Sequence, residues 1–336
     1  MYRRFFILSA LIVFPACLFA EDEEIATAIT PEHYRIYKGN GVEASMEEIL
    51  AAAKKIDVLF LGEYHDDPVA HHLEKSILEQ VHSDRPVKKN GDGTRPLALS
   101  MEMFERDTQM ILDEYLSDLV TEKYLIKDGR AWKNYESDYK PLVEFAKENQ
   151  LTVIAANAPR RYVNLVGREG RNALGQLSDQ ALSLSLPPLP YAEPSPAYAN
   201  KFHSLMDKFG RDRAKKKGEA FDDSEEAVAK RAADRADSLA AQALWDASMA
   251  YSIARQLADE PDSQVLHING SFHTEKRLGI PEHLQSYRPN TSLLVVTILA
   301  DDSFPDFDTG TMESSGDFVI VTDNQLPRSY DASARN

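Results

Sequence analysis

The sequence predicts an α/β fold with a mostly parallel central sheet covered by helices on both faces. Three observations carry that reading. Short apolar runs of strand length recur at 56–61, 96–103, 151–156, 264–269, 293–299 and 318–322. Helix-length amphipathic segments separate most of them, and such alternation implies parallel strands joined by helical crossovers. Val58-Leu59-Phe60-Leu61 is apolar at every position, as a strand buried on both faces should be.

The elements follow in order. Arg3 and Arg4 precede the apolar stretch Phe5 to Phe14, which is the pattern of an export signal and too short to span a bilayer. Cleavage after Ala20 is expected. The other route is a lipoprotein signal acylated at Cys17, although Phe14-Pro15-Ala16-Cys17 matches a lipobox poorly. Ser45 and Glu48 form a capping box for a helix from Met46 to Lys55. The strand 56–61 ends at Gly62, which permits a sharp turn. A helix from Pro68 to Val81 follows, capped by Asp66 or Asp67, with proline in its first turn.

Residues 90–94 read as a surface loop and 96–103 as the next strand, followed by a helix over 108–119. An aromatic connector at 132–139, a helix at 141–149 and a strand at 151–156 come next. Residues 166–200 read as irregular, with extended proline-rich pieces at 186–191 and 194–196. A basic helix over 201–217 and one long helix over 223–258 complete a helical insert. After the strand 264–269, the acidic loop 301–317 joins the last two strands and suggests an antiparallel edge hairpin. The expected organisation is a signal peptide at 1–20, an α/β domain at 35–300 with its insert at about 166–258, a hairpin at 301–323 and a mobile tail at 324–336.

With 336 residues, 43% of them apolar, the chain can bury a full core. A formal charge of −16 argues against nucleic acid, whose phosphates need a basic face, and disfavours anionic membrane surfaces. Cys17 is the only cysteine. The mature chain therefore has no disulfide, no cysteine-based zinc site and no thiolate nucleophile.

Four strands end in polar residues: Glu63 and His65 after the first, Glu102 at the second, Asn157 and Arg160 after the third, and Asn269 and His273 after the fourth. In a parallel sheet these groups share one edge, the carboxyl edge where α/β folds bind ligands. Each also has a plainer reading. Glu63 and His273 suit solvated strand ends, His65 and Asn157 suit turns, and Arg160 suits an ion pair with Glu102. His72 falls on the helix face of Val69 and Ser76 and reads as buried, whereas His71 faces solvent and His267 is a core histidine.

The converging groups allow two chemistries. Glu63, His65, Glu102 and His273 are suitable ligands for a divalent metal such as zinc or manganese. They are equally an acid/base set for metal-free hydrolysis, with Arg160 orienting Glu102 or a substrate anion. No zinc-protease helix motif, nucleophile elbow or phosphate loop is present.

Taken together, the motifs resemble the ChaN-like family of haem-binding bacterial lipoproteins, within the wider Tiki/TraB and erythromycin-esterase-like superfamily. The matching pieces are Gly62-Glu63-Tyr64-His65-Asp66 with His71-His72, Glu102-Met103-Phe104, Asn157-Ala158-Pro159-Arg160, Gln242 with Asp246 to Ala250, and Asn269-Gly270-Ser271-Phe272-His273 with Arg277 to Pro281. The resemblance implies an extracytoplasmic haem-binding protein in the periplasm or on a lipid anchor, acting in iron or haem uptake. It implies equally that relatives are hydrolases built on the same Glu/His constellation. A non-catalytic binding module on a degenerate hydrolase scaffold is the third reading. Tyrosine is a haem ligand type, so Tyr191 and Tyr198 are ligand candidates by expected exposure, with Asn157 and His72 beside them as cofactor-binding residues. Haem or another small molecule is the expected partner, with a homodimer left open.

Overall fold

The computed structural model describes residues 28–88 and 93–330. The expected export signal with Cys17, residues 90–92 of the expected surface loop and residues 331–336 of the tail lie outside the described residues. Seven strands form one sheet: β1 (Tyr34–Lys38), β2 (Val58–Glu63), β3 (Leu97–Glu105), β4 (Thr152–Asn157), β5 (Gln264–Gly270), β6 (Leu293–Asp301) and β7 (Phe318–Asp323). Their order is β1-β7-β6-β2-β5-β3-β4, and every pair is parallel except β1 with β7.

The mostly parallel sheet with an antiparallel edge pair is therefore present, but the pair is not the expected hairpin. β6 and β7 run parallel, with Val296 opposite Phe318 and Asp301 opposite Asp323. Residues 302–317 are long enough for the crossover that parallel neighbours require. The antiparallel partner of β7 is β1, an edge strand with Arg35 between its apolar positions and Lys38 at its end.

Helices α1 (Met46–Ala53), α2 (Pro68–Ser83), α3 (Gln109–Leu116), α4 (Glu122–Asp128) and α5 (Lys140–Glu148) cover one face. Ile49, Leu73, Ile77, Leu112, Leu125 and Val143 pack there on Leu59, Leu61, Leu99 and Ile268. The capping box at Ser45 and Glu48 forms as expected, and the Asp67 carboxylate caps α2 by accepting from Val69 N at 2.9 Å.

On the chain's far side of β4 come α6 (Arg160–Glu169), α7 (Asp179–Ser185), α8 (Pro196–Lys217), α9 (Glu225–Asp234), α10 (Ala236–Asp259) and α11 (Ile280–Tyr287). α10 and α11 cover the second face, where Met249, Ile253 and Leu284 meet Phe60, Val265 and Val295. α6 packs on α10 through Val163, Val166 and Leu244.

Residues 166–200 are more ordered than the sequence reading had them. Besides α7 they hold the first turns of α8, whose N-cap Ser195 accepts from Tyr198 N, so Pro196 opens a helix rather than an extended run. The long helix expected at 223–258 is two helices broken at Arg235, whose guanidinium turns to Asp207 at 2.7 Å.

Candidate functional site

β5 lies between β2 and β3, so the carboxyl ends of three adjacent parallel strands meet at one edge. Glu63 stands opposite Gly270 in the β2–β5 register. On the other side, the β3–β5 pairing stops at Met101 opposite Ile268. Between Met101 and Glu105 the β3–β4 register shifts, and such an irregularity re-aims a side chain. Glu102, the residue after the last β3–β5 pair, turns its carboxylate to β5 and accepts from Gly270 N at 2.7 Å.

Gly270 also sets the place of His65. A methyl group there would stand 2.8 Å from His65 Nε2, closer than carbon and nitrogen approach. His65 uses its other nitrogen, donating from Nδ1 to Glu63 Oε1 at 2.8 Å. Tyr139 donates to the same oxygen at 2.8 Å. His65 Nε2 faces Glu102 Oε1 at 4.0 Å, and His273 Nε2 faces that oxygen at 3.6 Å.

His273 is fixed from behind. Its Nδ1 donates to Asp246 Oδ1 at 2.5 Å, and the other Asp246 oxygen accepts the Tyr198 hydroxyl. Gln242 Nε2 lies 3.5 Å from His273 Nε2. Half-buried aromatic rings surround the imidazoles: Trp132 meets His65 edge-on at 4.9 Å, and Trp245 and Phe272 meet His273 at 6.4 and 6.1 Å.

The charges are strongly coupled. Burial opposes ionisation of Glu63, but the His71 and His65 imidazoles beside it hold its carboxyl well below the usual carboxylate range. Burial likewise opposes a charge on His65, and its bond to Glu63 with the nearby Glu102 charge nonetheless raises its pKa. For His273 the burial penalty is outweighed by Glu102 and Asp246, and its pKa also rises. The arrangement offers two imidazoles, each oriented by a carboxylate, on either side of Glu102. Such a set can move protons or hold an electrophilic centre.

Of the residues expected at the site, Glu63, His65, Glu102 and His273 converge. Arg160 does not. It opens α6 with an exposed side chain, only its backbone N–H reaches a carboxylate, and that belongs to Glu105 at 2.9 Å. Asn157 makes a turn, accepting from Ala158 N at 2.9 Å. His72 is exposed and His71 is buried, the reverse of the expectation. The apolar stripe of α2 runs through Ala70, Leu73, Ile77 and Val81, with His71 on its border and His72 opposite.

The two tyrosines expected to be exposed are 3% and 1% exposed. Tyr191 donates to Ala240 O at 2.8 Å inside the α6–α10 packing. Tyr198 holds Asp246 in place. His267 is the core histidine expected, bonded to Ser100 Oγ at 2.8 Å and kept neutral by burial, with its pKa lowered to about 3.

Sequence reading assigned no role to Glu74, Asp138, Tyr139, Asp246 or Trp132. Asp138 and Tyr139 lie in a π-helical turn, Tyr135–Tyr139, that leads into α5. Such turns concentrate at functional sites, and its polar residues gave no periodic signal. Glu74 was within reach, since it shares the His71 face at a spacing of three.

A family model described as haem-binding uptake, Tiki superfamily, ChaN matches residues 49–284. A solved structure described as cofacial heme binding to ChaN of Campylobacter jejuni aligns with a TM-score of 0.59 at 18% identity, over 87% of this chain and 98% of that one. At this identity the likeness speaks to the fold. An erythromycin esterase mutant, EreC in its open conformation, aligns with a TM-score of 0.43 at 13% identity, over 86% of this chain and 83% of that one. Protein RETICULATA-RELATED 5, chloroplastic, of Arabidopsis thaliana is 26% identical over 141 residues, 39% of this chain. The chain spans 17% of that protein's length.

Proposed function

The chain belongs to the haem-binding uptake family of ChaN proteins in the Tiki superfamily, and from that premise we propose that it is an extracytoplasmic haem-binding protein serving haem or iron acquisition. The observation that carries this reading is the extent of the family match. It runs from 49 to 284 and so includes every converging residue from Glu63 to His273.

The residues at the carboxyl edge suit the group. Haem needs an axial donor and apolar walls. Tyr64, between Glu63 and His65, is 42% exposed and is a phenol of the type that ligates haem iron. The His65 side chain is 28% exposed, and with Nδ1 given to Glu63 its Nε2 keeps a lone pair. Trp132, Trp245 and Phe272 supply aromatic surface beside the imidazoles. Bound haem would supply an iron centre able to change oxidation state and take a further ligand. Haemin titration followed at the Soret band tests the reading, with a saturable shift expected and its absence fatal to it.

Export and anchoring belong to the proposal and rest on Arg3, Arg4 and the apolar stretch after them. No helix among the described residues is long and apolar enough to cross a membrane. Cell fractionation, with Cys17→Ser to remove the acylation route, separates a lipid-held protein from a free one. A homodimer is part of the same proposal, read by mass measurement in solution with and without haemin.

A second reading, hydrolysis, is favoured by one observation. His273 stands between Asp246 at 2.5 Å and Glu102 at 3.6 Å, the orienter–imidazole–carboxylate arrangement of acid/base catalysis. An ester and amide panel that finds turnover abolished by Glu102→Gln would establish it, and a panel with no Glu102-dependent turnover would remove it.

A further inference from the structure

Glu63 has a second oxygen, and what meets it is unrelated to the edge just described. Glu63 and Glu74 are 1% and 0% exposed, and His71 between them is 8% exposed. One ligand atom from each of the three lies within 4.8 Å of the others. His71 and Glu74, at positions i and i+3, share a face of α2, and Glu63 reaches them from the end of β2. His71 Nδ1 donates to Glu74 Oε2 at 3.3 Å and lies 3.0 Å from Glu63 Oε2.

Two features of this cluster ask for a cation. Glu63 Oε2 and Glu74 Oε1 are buried and accept no hydrogen bond, so the 3.0 Å contact is close without being aligned. Buried carboxylate oxygens left without donors are costly. The other His71 nitrogen, Nε2, lies 3.3 Å from Asp138 Oδ2. Asp138 is itself held by Asn134 Nδ2 at 2.7 Å and Ser329 Oγ at 3.0 Å. A hydrogen-bonded carboxylate behind an imidazole is the second layer that orients a metal-binding histidine. Metal–ligand bonds of about 2.0–2.2 Å put neighbouring ligand atoms roughly 3 to 3.5 Å apart, and the two spacings from His71 Nδ1 lie in that range.

We propose that Glu63, His71 and Glu74 form a buried binding site for one divalent first-row metal ion, backed by Asp138. One nitrogen and two carboxylates suit zinc or manganese. The site shares only Glu63 with the cluster at the carboxyl edge. Its metal contacts Oε2, while Oε1 accepts from His65 and Tyr139. The ion therefore leaves Oε1 as the acceptor that orients His65.

The test uses the full chain stripped with EDTA, free of haem, titrated with zinc sulfate or manganese chloride by calorimetry and thermal unfolding. One ion per chain and a metal-dependent rise in Tm are expected. Glu74→Gln keeps the side-chain shape and cannot ionise, so its metal-free Tm is unchanged or higher while the metal-dependent rise disappears. Asp138→Asn weakens binding by about 10- to 100-fold. The proposal is overturned if wild type binds no stoichiometric metal, which would leave a proton held by Glu74 as the explanation. It is equally overturned if Glu74→Gln retains the rise, or if Glu102→Gln removes it while Glu74→Gln does not. Haemin binding is measured separately, so either reading can fail alone.

Discussion

His71 and His72 are chain neighbours in opposite environments. His71 is enclosed by Glu63, Glu74 and Asp138, and burial opposes its charge, yet the Glu63 carboxylate and the bonds to Asp138 and Glu74 raise its pKa well above the ordinary value. His72 is exposed beside Lys75 and Glu79, with its pKa lowered by desolvation and by Lys75. His71→Ala, which leaves buried carboxylates without their cation, should destabilise the metal-free protein by about 3–5 kcal/mol. His72→Ala should change it by less than about 0.5 kcal/mol. Urea unfolding in EDTA measures both, and equal effects would contradict the placement. Val69 is buried at one border of the apolar arc, and His72 with the half-buried Ser76 lies on the side of it away from Leu73, Ile77 and Val81, so sharing a side with Val69 does not bury His72.

At the scale of elements, the four residues at the strand ends were legible because parallel strands carry their carboxyl ends to one edge. Less legible was what a strand does after it stops pairing. Glu102 reaches Gly270 N only because β3 leaves its ladder with β5 at Met101, and apolar patterning does not encode that departure. Arg160, one strand farther out, was expected to join the site and opens α6 instead. β1 is illegible in the sequence because Arg35 interrupts its short apolar run and Lys38 ends it, as suits an edge. Gly270→Ala tests the local geometry. The added methyl group would meet His65 Nε2 at 2.8 Å and Cε1 at 2.9 Å, so the imidazole must swing away. Haemin affinity should fall by at least about tenfold, the order expected when a positioned ligand group is displaced, with the far-ultraviolet circular dichroism unchanged. Unaltered affinity would show that the placement of His65 is irrelevant to the ligand.

For the whole molecule, the buried charges predict how stability follows pH. His65, His71 and His273 have pKa values raised on folding. Their contribution is complete below the unfolded value of about 6.5 and is lost as pH rises through the folded values. Burial and the neighbouring Glu63 charge raise Glu74 as well, so it too favours the folded state less as pH climbs above about 4.3. Glu63 and Asp138 are lowered despite burial, and their contribution is lost only in stronger acid, as pH falls through their folded values. Metal-free protein should therefore have a falling Tm from about pH 6.5 to 9, while below about 6.5 the neutral buried His267 works in the opposite direction. A Tm that climbs across that range would contradict the assignment of charges. Added metal should stabilise more as pH rises, because it competes with protons for His71 and Glu74.

Haem binding at the edge formed by β2, β5 and β3 is read directly by titration. Haemin is titrated into the wild-type chain and into a Tyr64→Phe, His65→Ala double variant, with the Soret band followed in both. Wild type should show a saturable Soret shift, and the double variant its loss or strong weakening. No saturable shift in wild type, or the same affinity in the double variant, would contradict it.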